Sequence, residues 1–187
     1  GFWIDMDMIP FGKLQLMNPD PKSPEDEYLK GTKEEQENLV ALAGHGHTRW
    51  SKFSKYQMYT FITMRAMAAS PLMMGGDLPT LDDFSFSLIT NEEIIACNQN
   101  GVMGHLVYDK KNLEIWNTPN KGTKNGWIGV FNRSKNLQSI FLTTAELGLS
   151  KDNAYALVDI WNQEELNLKN GLTVQPNGVV FIKYMIK

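Results

Sequence analysis

Residues 126–132 read GWIGVFN, an apolar run of strand length that follows the turn residues Asn120-Lys121-Gly122. Similar short runs recur along the second half of the chain between Asn, Gly, Lys and Pro turns: Val102–Tyr108, Leu113–Asn117, Ser139–Thr143, Tyr155–Trp161 and Gly178–Tyr184. Short strands at regular spacing are typical of two antiparallel sheets packed face to face. We therefore expect residues 101–187 to form an antiparallel β-sandwich domain.

The residues before Gly101 have a different pattern, in which helices alternate with short apolar runs. A strand is predicted over Phe2–Ile9, and Ser54 is placed to cap a helix from Lys55 to about Ala69. Pro71 then opens a second short apolar run, Leu72–Met74. A helix that leads directly into a short buried strand is typical of a parallel α/β unit. Residues 1–100 are therefore expected to form an α/β part.

Three more helices are predicted in this α/β part. Thr32 and Glu35 have the spacing of a capping box, so a helix is expected over 33–43. Two shorter helices are expected at Leu81–Leu88 and Asn91–Asn98, the second capped by Thr90. The proline-rich stretch 18–24 is predicted to be a surface loop.

Composition excludes several classes of protein. The chain has 187 residues, of which 42% are hydrophobic and 21% charged, and this globular balance argues against disorder. A net charge of −3 gives no basic surface for nucleic acid or an anionic membrane. No apolar run approaches the roughly 20 residues that span a bilayer. The single cysteine, Cys97, excludes an internal disulfide framework and a multi-cysteine metal site.

Asp5 and Asp7 are the first candidate chemical groups. Two positions apart on a strand, their side chains would project from the same face with Cα atoms roughly 6.6 Å apart. Paired carboxylates are what glycoside hydrolysis needs, one to protonate the leaving oxygen and one to attack or to activate water. Neighbours on one strand seldom flank a bond from two sides, however. One structural carboxylate and one that lines a pocket is the preferred interpretation.

Other candidate groups have simpler structural explanations. His45 and His47 form a His-x-His pair, yet no third ligand is evident and no metal is predicted. Gly75-Gly76-Asp77 lacks the surrounding pattern of a phosphate-binding loop and is expected to be a tight turn. The strand tryptophans are expected to fill the sandwich core rather than to stack on a sugar: Trp116, Trp127 and Trp161.

Several segments together resemble the α-galactosidase (melibiase) family, glycoside hydrolase family 27, related to family 36. Residues 3–8, WIDMDM, resemble its Trp-x-Asp-x-Asp-Met signature, although Ile4 and Met6 replace polar and proline residues common there. Residues 67–78, MAASPLMMGGDL, resemble its Ser-Pro-Leu block, and residues 88–99, LITNEEIIACNQ, its Thr-Asn-x-Glu element. The aromatic strands of the β half follow in the family's order.

The resemblance implies a fold. It is the C-terminal part of a (β/α)8 TIM barrel, residues 1–100, followed by the antiparallel β-sandwich domain of residues 101–187. Phe2–Ile9 would be the seventh barrel strand and Leu72–Met74 the eighth. The run of apolar residues at the start of the chain agrees with this, since it reads like the middle of a domain, and the chain is expected to be a C-terminal piece of a longer protein.

The resemblance also implies a retaining hydrolase acting on terminal α-galactosyl or related residues. The Asp nucleophile and the Asp acid/base of the family would both lie upstream of Gly1, so no catalytic residue, metal or cofactor is expected in this chain. Asp7 and Met8 match the pair that lines the galactose pocket. Trp3 and Asp5 match positions that support the pocket from behind. The long segment Lys13–Trp50 could cover the site.

Two alternatives stay open at the level of sequence. The chain could be a non-catalytic carbohydrate-binding or structural β module, or, less in keeping with the carboxylate geometry, a hydrolase that uses Asp5 and Asp7. The expected partners are a galactoside-type carbohydrate and either the missing N-terminal half of the barrel or a second copy of the chain, because a partial barrel leaves strand edges uncovered. A periplasmic or secreted location is expected from the resemblance alone.

Overall fold

The structure is a computed structural model that describes residues 3–16 and 47–187. The predicted helix over 33–43, the loop 18–24 and His45 lie outside these described residues, as does most of the segment expected to cover the site. The chain divides into two compact units, one made of Met8–Phe53 and Met73–Phe86, the other of Gly1–Asp7, Ser54–Leu72 and Ser87–Lys187. The expected boundary near Gly101 between barrel and sandwich stays a prediction.

The smaller unit contains a two-stranded antiparallel sheet. Strand β1 (Lys13–Leu16) pairs with β2 (His47–Trp50), with Lys13 opposite Trp50. Next to this pair, Ile9 forms an isolated parallel bridge with Met74. The side chains of Ile9 and Phe11 are fully buried in the core of this unit.

The predicted strands Phe2–Ile9 and Leu72–Met74 are therefore wrong as continuous strands. Residues 3–8 have no regular secondary structure, and only the bridge between Ile9 and Met74 preserves the parallel pairing. The physical reason lies at Asp7, whose φ of 66° is left-handed and interrupts the extended backbone that strict alternation requires.

Gly75 and Gly76 are explained by a close approach of two backbones. A Cβ atom on Gly76 would lie 1.8 Å from the carbonyl oxygen of Phe11, and one on Gly75 would lie 2.8 Å from Cβ of Met8. The segments are joined here by hydrogen bonds from Gly75 N to the Ile9 carbonyl at 3.0 Å and from Asp77 N to the Lys13 carbonyl at 2.8 Å. Only residues without a side chain fit between them.

The described residues form three α-helices. Helix α1 (Lys55–Met67) begins at the predicted cap, Ser54. The two ends of a capping box are present, with Gln57 N donating to Ser54 Oγ at 3.4 Å and Ser54 N donating to Gln57 Oε1 at 2.9 Å. It ends earlier than expected because Ala69 takes a left-handed φ of 50°. Helix α2 spans Asp83–Ile89 and α3 spans Glu92–Gln99.

The cap of α3 corrects one prediction. Asn91, not Thr90, is the N-cap, and its Oδ1 accepts hydrogen bonds from Glu93 N at 3.0 Å and Ile94 N at 3.1 Å. Thr90 is one residue too early for its hydroxyl to reach these two amides.

Six antiparallel strands form the main sheet of the larger unit. In chain order they are β3 (His105–Lys110), β4 (Leu113–Pro119), β5 (Gly126–Asn132), β7 (Tyr155–Asp159), β8 (Glu164–Glu165) and β10 (Val179–Ile186). Their order across the sheet is β3-β4-β5-β10-β7-β8. A second sheet pairs β6 (Gln138–Ile140) with β9 (Leu172–Val174). The predicted sandwich is therefore confirmed, while β8 and β9 were not predicted and β3 begins later than Val102.

Both faces of the central strand β5 are covered, and all seven of its residues are buried. Ile128 and Val130 face a core shared with β6, β9 and the loop that holds Leu147. Trp127 belongs to the opposite face, which lies against α1 and α3. On this face a Cβ atom on Gly129 would lie 2.7 Å from the Met67 sulfur, so the helix approaches the sheet closely there.

The three strand tryptophans all lie in the larger unit. Trp127 is only 4% exposed, as the core interpretation expects. Trp116 and Trp161 are half-buried. Trp161 lies just after β7 and stacks on Tyr59 at a centroid distance of 4.6 Å, while its Nε1 donates to Thr63 Oγ1 at 3.2 Å. Among the helices described, none has the length and apolar character to cross a bilayer.

Candidate functional site

The segment Trp3–Asp7 ends in an Asx turn closed by the Asp5 side chain, with Asp7 in a left-handed conformation, and this turn is the candidate site. Asp7 N donates to Asp5 Oδ1 at 2.8 Å, and both aspartates are exposed. Asp is one of the few side chains that tolerate the left-handed conformation found at Asp7. The Asp5 carboxylate therefore holds the backbone of the turn, while the Asp7 carboxylate is presented on the surface.

Arg65 supports this turn from helix α1. Its side chain is only 4% exposed, and Nη2 donates to the carbonyl oxygen of Met6. The guanidinium lies over the Phe61 ring, 3.5 Å from the ring centroid. A buried cation needs such partners because removing it from water is costly.

The charge of Arg65 is balanced by the two aspartates of the turn. Burial lowers the pKa of its guanidinium, and the negative charges of Asp7 and Asp5 act in the opposite direction. Arg65 thus places a positive charge behind the two carboxylates of the turn.

Ser70 and Asn98 complete the support of the turn. Ser70 is fully buried, and its Oγ accepts a hydrogen bond from Met6 N at 3.0 Å. The left-handed residue after α1 brings Ser70 N within 3.1 Å of the Arg65 carbonyl, which closes the helix end. Asn98 Nδ2 then donates to the Ser70 carbonyl at 2.7 Å. Both backbone polar groups of Met6 are therefore held by buried side chains.

The sequence could have indicated Arg65, because a charged residue on the apolar side of α1 requires a partner of opposite charge. Ser70 follows the end of α1, and no sequence pattern separates it from other serines in that position. The structure brings Asp5 and Asp7 together with Arg65, Ser70 and Asn98, which sequence reasoning had not grouped.

Trp3 and Met8 occupy separate surroundings. Trp3 is 46% exposed, and its ring lies 3.8 Å from where a Gly101 Cβ would stand. Met8, in the smaller unit, is 54% exposed and packs its Cβ against Gly75. Their predicted roles, pocket lining for Met8 and support for Trp3, stay predictions.

The turn does not resemble a pair of catalytic carboxylates. A retaining or inverting pair needs two carboxyl groups that approach one bond from opposite sides. One carboxylate oxygen of Asp5 instead accepts a hydrogen bond from the backbone of the turn. In the described part of the chain, no group of three or more His, Cys, Asp or Glu side chains could hold a metal ion.

Comparison with known proteins finds similarity to α-galactosidases. Residues 110–184 match the family model described as the alpha galactosidase C-terminal beta sandwich domain. The chain is 32% identical over 108 residues to alpha-galactosidase of Cyamopsis tetragonoloba, which covers 57% of this chain and 26% of that protein. It is 31% identical over 126 residues to alpha-galactosidase 2 of Arabidopsis thaliana, covering 66% and 30%.

Solved structures have the same fold. A GH27 β-L-arabinopyranosidase from Geobacillus stearothermophilus matches with a TM-score of 0.75 at 24% identity, over 98% of this chain and 37% of that one. A protein from Bacillus halodurans, described as a putative alpha-N-acetylgalactosaminidase, matches with a TM-score of 0.76 at 21% identity, over 100% and 40%. The chain thus spans between 26% and 40% of the length of these four proteins.

Proposed function

We propose that this chain is the C-terminal portion of an α-galactosidase-family protein and that the longer protein is a retaining glycoside hydrolase. It removes terminal α-galactosyl or related residues from oligo- or polysaccharides. The nucleophile and the acid/base are supplied by sequence upstream of Gly1. Residues 1–100 complete a (β/α)8 barrel with that upstream sequence, and the sandwich follows it.

The observation that carries the proposal is the supported turn at Asp5–Asp7. An exposed carboxylate on a rigid backbone is suited to accept hydrogen bonds from sugar hydroxyls, because little conformational entropy is lost on binding. Asp7 occupies the position of the family's sugar-binding aspartate in the signature of residues 3–8. In the proposal Asp7 binds hydroxyls of the sugar, Met8 packs against its ring, and Trp3 and Asp5 support them.

The test is hydrolysis of aryl α-galactoside, with aryl α-N-acetylgalactosaminide and β-L-arabinopyranoside measured alongside. We expect turnover by the longer protein with retained anomeric configuration, and none by the 187-residue chain. Asp7→Asn in the longer protein should raise KM strongly and leave the protein folded. Turnover by the isolated chain, lost on Asp5→Asn or Asp7→Asn, would contradict the placement of the catalytic pair.

Two of the three strand tryptophans, Trp127 and Trp161, are not placed as stacking platforms of a carbohydrate-binding module. A sugar platform needs an aromatic face open to solvent. Trp127 is buried, and Trp161 has one face covered by Tyr59. Neither offers such a platform.

A further inference from the structure

We propose that a polar cleft in the larger unit, separate in its residues from the Asp7 turn, binds a neutral saccharide unit without catalysing a reaction. The cleft has a volume of about 510 Å³, within the size range of small-molecule sites. One wall is a face of α3, the other is the β4–β5 turn, and β5 and β10 form the floor. Its polar lining residues are Glu93, Gln99, Asn100, Asn120, Asn125 and Lys183.

The walls of the cleft are fixed to each other by Asn100. Its Nδ2 donates to the Pro119 carbonyl at 2.9 Å, and its Oδ1 accepts from Lys121 N at 2.8 Å. Asn120 N also donates to the Asn125 carbonyl at 2.9 Å, which closes the turn. The end of the helix and the turn are thus held at a set distance, so the cleft is formed before any ligand binds.

The two charged side chains of the cleft, Glu93 and Lys183, form an ion pair. Lys183 Nζ lies 2.5 Å from Glu93 Oε1, and Trp127 Nε1 donates to Glu93 Oε2 at 3.0 Å. An anion would have to compete with Glu93 for Lys183. Trp127 is 4% exposed and offers no open face for stacking a nucleobase. These features disfavour phosphates, carboxylates and nucleotides as ligands.

Neutral hydrogen-bonding groups remain available in the cleft. Among the described residues, the side-chain amides of Gln99 and Asn120 have no hydrogen-bond partner, and both are at least partly exposed. An amide donates and accepts in the same plane, and vicinal sugar hydroxyls do both as well. A saccharide is therefore the neutral ligand class that fits the amides of Gln99 and Asn120 beside the ion pair of Glu93 and Lys183.

The experiment is a titration of the full 187-residue chain with raffinose, followed through the side-chain amide and indole signals in NMR spectra. We expect the signals of Gln99, Asn120 and Trp127 to shift together. Gln99→Ala and Asn120→Ala should each weaken binding about three- to tenfold, the loss of one neutral hydrogen bond. Asn170→Ala, an exposed amide in another part of the chain, is the matched control and should bind as the parent does.

Further arms separate this cleft from the proposed catalytic pocket. In an Asp7→Asn chain the shifts at the cleft should persist, whereas their loss would overturn the proposal. Shifts produced equally by sodium sulfate would identify an anion site and also overturn it. The same titration of the longer protein should shift the same NMR signals. If none of these signals shifted, the cleft would be covered in the longer protein, and this would count against the proposal. None of these measurements depends on hydrolytic activity, so their outcome is independent of the proposed function.

Discussion

The buried guanidinium of Arg65 donates a hydrogen bond to the backbone carbonyl of Met6, the residue before Asp7. A helix side chain thereby fixes the conformation of a surface turn that is distant in sequence. Because the same guanidinium also faces the charges of Asp5 and Asp7, its loss has two separable effects, one on stability and one on the turn.

Replacing Arg65 tests the first effect. Arg65→Met should lower the free energy of unfolding by about 2–3 kcal/mol, since a buried hydrogen bond to a charged group is lost. Urea denaturation measures this change. Arg133→Met is the control, because Arg133 is 64% exposed in its pair with Glu114 and should lose less than about 1 kcal/mol. Equal losses in both variants would refute the role given to Arg65.

Ser70 should matter through a single backbone amide. Ser70→Ala leaves Met6 N without its acceptor and should cost about 1–2 kcal/mol of unfolding free energy. Hydrogen exchange of the Met6 amide should accelerate in the same variant. Ser139→Ala, at the exposed middle position of strand β6, is the control and should change neither quantity. Unchanged protection at Met6 would show that Ser70 does not hold the turn.

The glycines of the smaller unit should differ from turn glycines elsewhere. Gly76→Ala places a Cβ atom 1.8 Å from the Phe11 carbonyl, so the backbone must move and about 3 kcal/mol or more is lost. Gly122→Ala has open space around its Cβ and only the strain of a φ of 77°, which should cost about 1 kcal/mol. Limited proteolysis and hydrogen exchange at Gly75 and Asp77 would report the difference. Comparable losses would contradict the close approach.

Cys97 should be inert while the chain is folded. Its side chain is fully buried, and burial raises the pKa of the thiol, with the negative charge of Glu93 acting in the same direction. Since the thiolate is the reactive form, iodoacetamide at mildly alkaline pH should label it only in denaturant. Rapid labelling of the native chain would show that α3 opens readily.

Asp159 should give stability a measurable pH dependence. Burial raises the pKa of this carboxyl above its ordinary value of 3.8, although Trp161 N and Asn162 donate hydrogen bonds to it. The folded state then holds the proton more tightly than the unfolded state. The contribution is therefore fully present below the ordinary pKa and is lost as pH rises through the raised one.

The measurement is urea unfolding of the parent and Asp159→Asn at about pH 3.5 and about pH 7. We expect the parent to lose stability relative to the variant as pH rises across this interval. Asp109→Asn, at an exposed position of β3, is the control and should run parallel to the parent. A parent that gains stability relative to Asp159→Asn would reverse the assigned direction.

Sequence predicts best where one strong local signal agrees with burial. The bounds of β5 were predicted because Gly126–Asn132 is a mainly apolar run that lies between turns. The start of α1 was predicted because serine is a favoured N-cap residue and Ser54 stands just before the helix. β9 was missed because Leu172–Val174 is three residues long, too short for a periodic pattern. It is a strand because β6 and the core beneath it supply its partners.

The candidate site was less predictable for a different reason. Residues 3–8 are apolar and alternating, as a strand would be, yet the left-handed conformation of Asp7 depends on Asp5, Arg65 and Ser70 acting together. Two of these come from the end of α1, far along the chain. The conformation of Asp7 therefore cannot be predicted from the propensities of residues 3–8 alone, because side chains distant in sequence stabilise it.

The position of β10 between β5 and β7 has a consequence for how the chain folds during synthesis. Both neighbours leave the ribosome before β10, and everything between Asn132 and Val179 must be made before β5 gains its second partner. Until then one apolar edge of β5 is open to pairing with other chains. A stop codon or protease cut before Val179 would prolong this exposure indefinitely, so truncated products should aggregate rather than persist as folded intermediates.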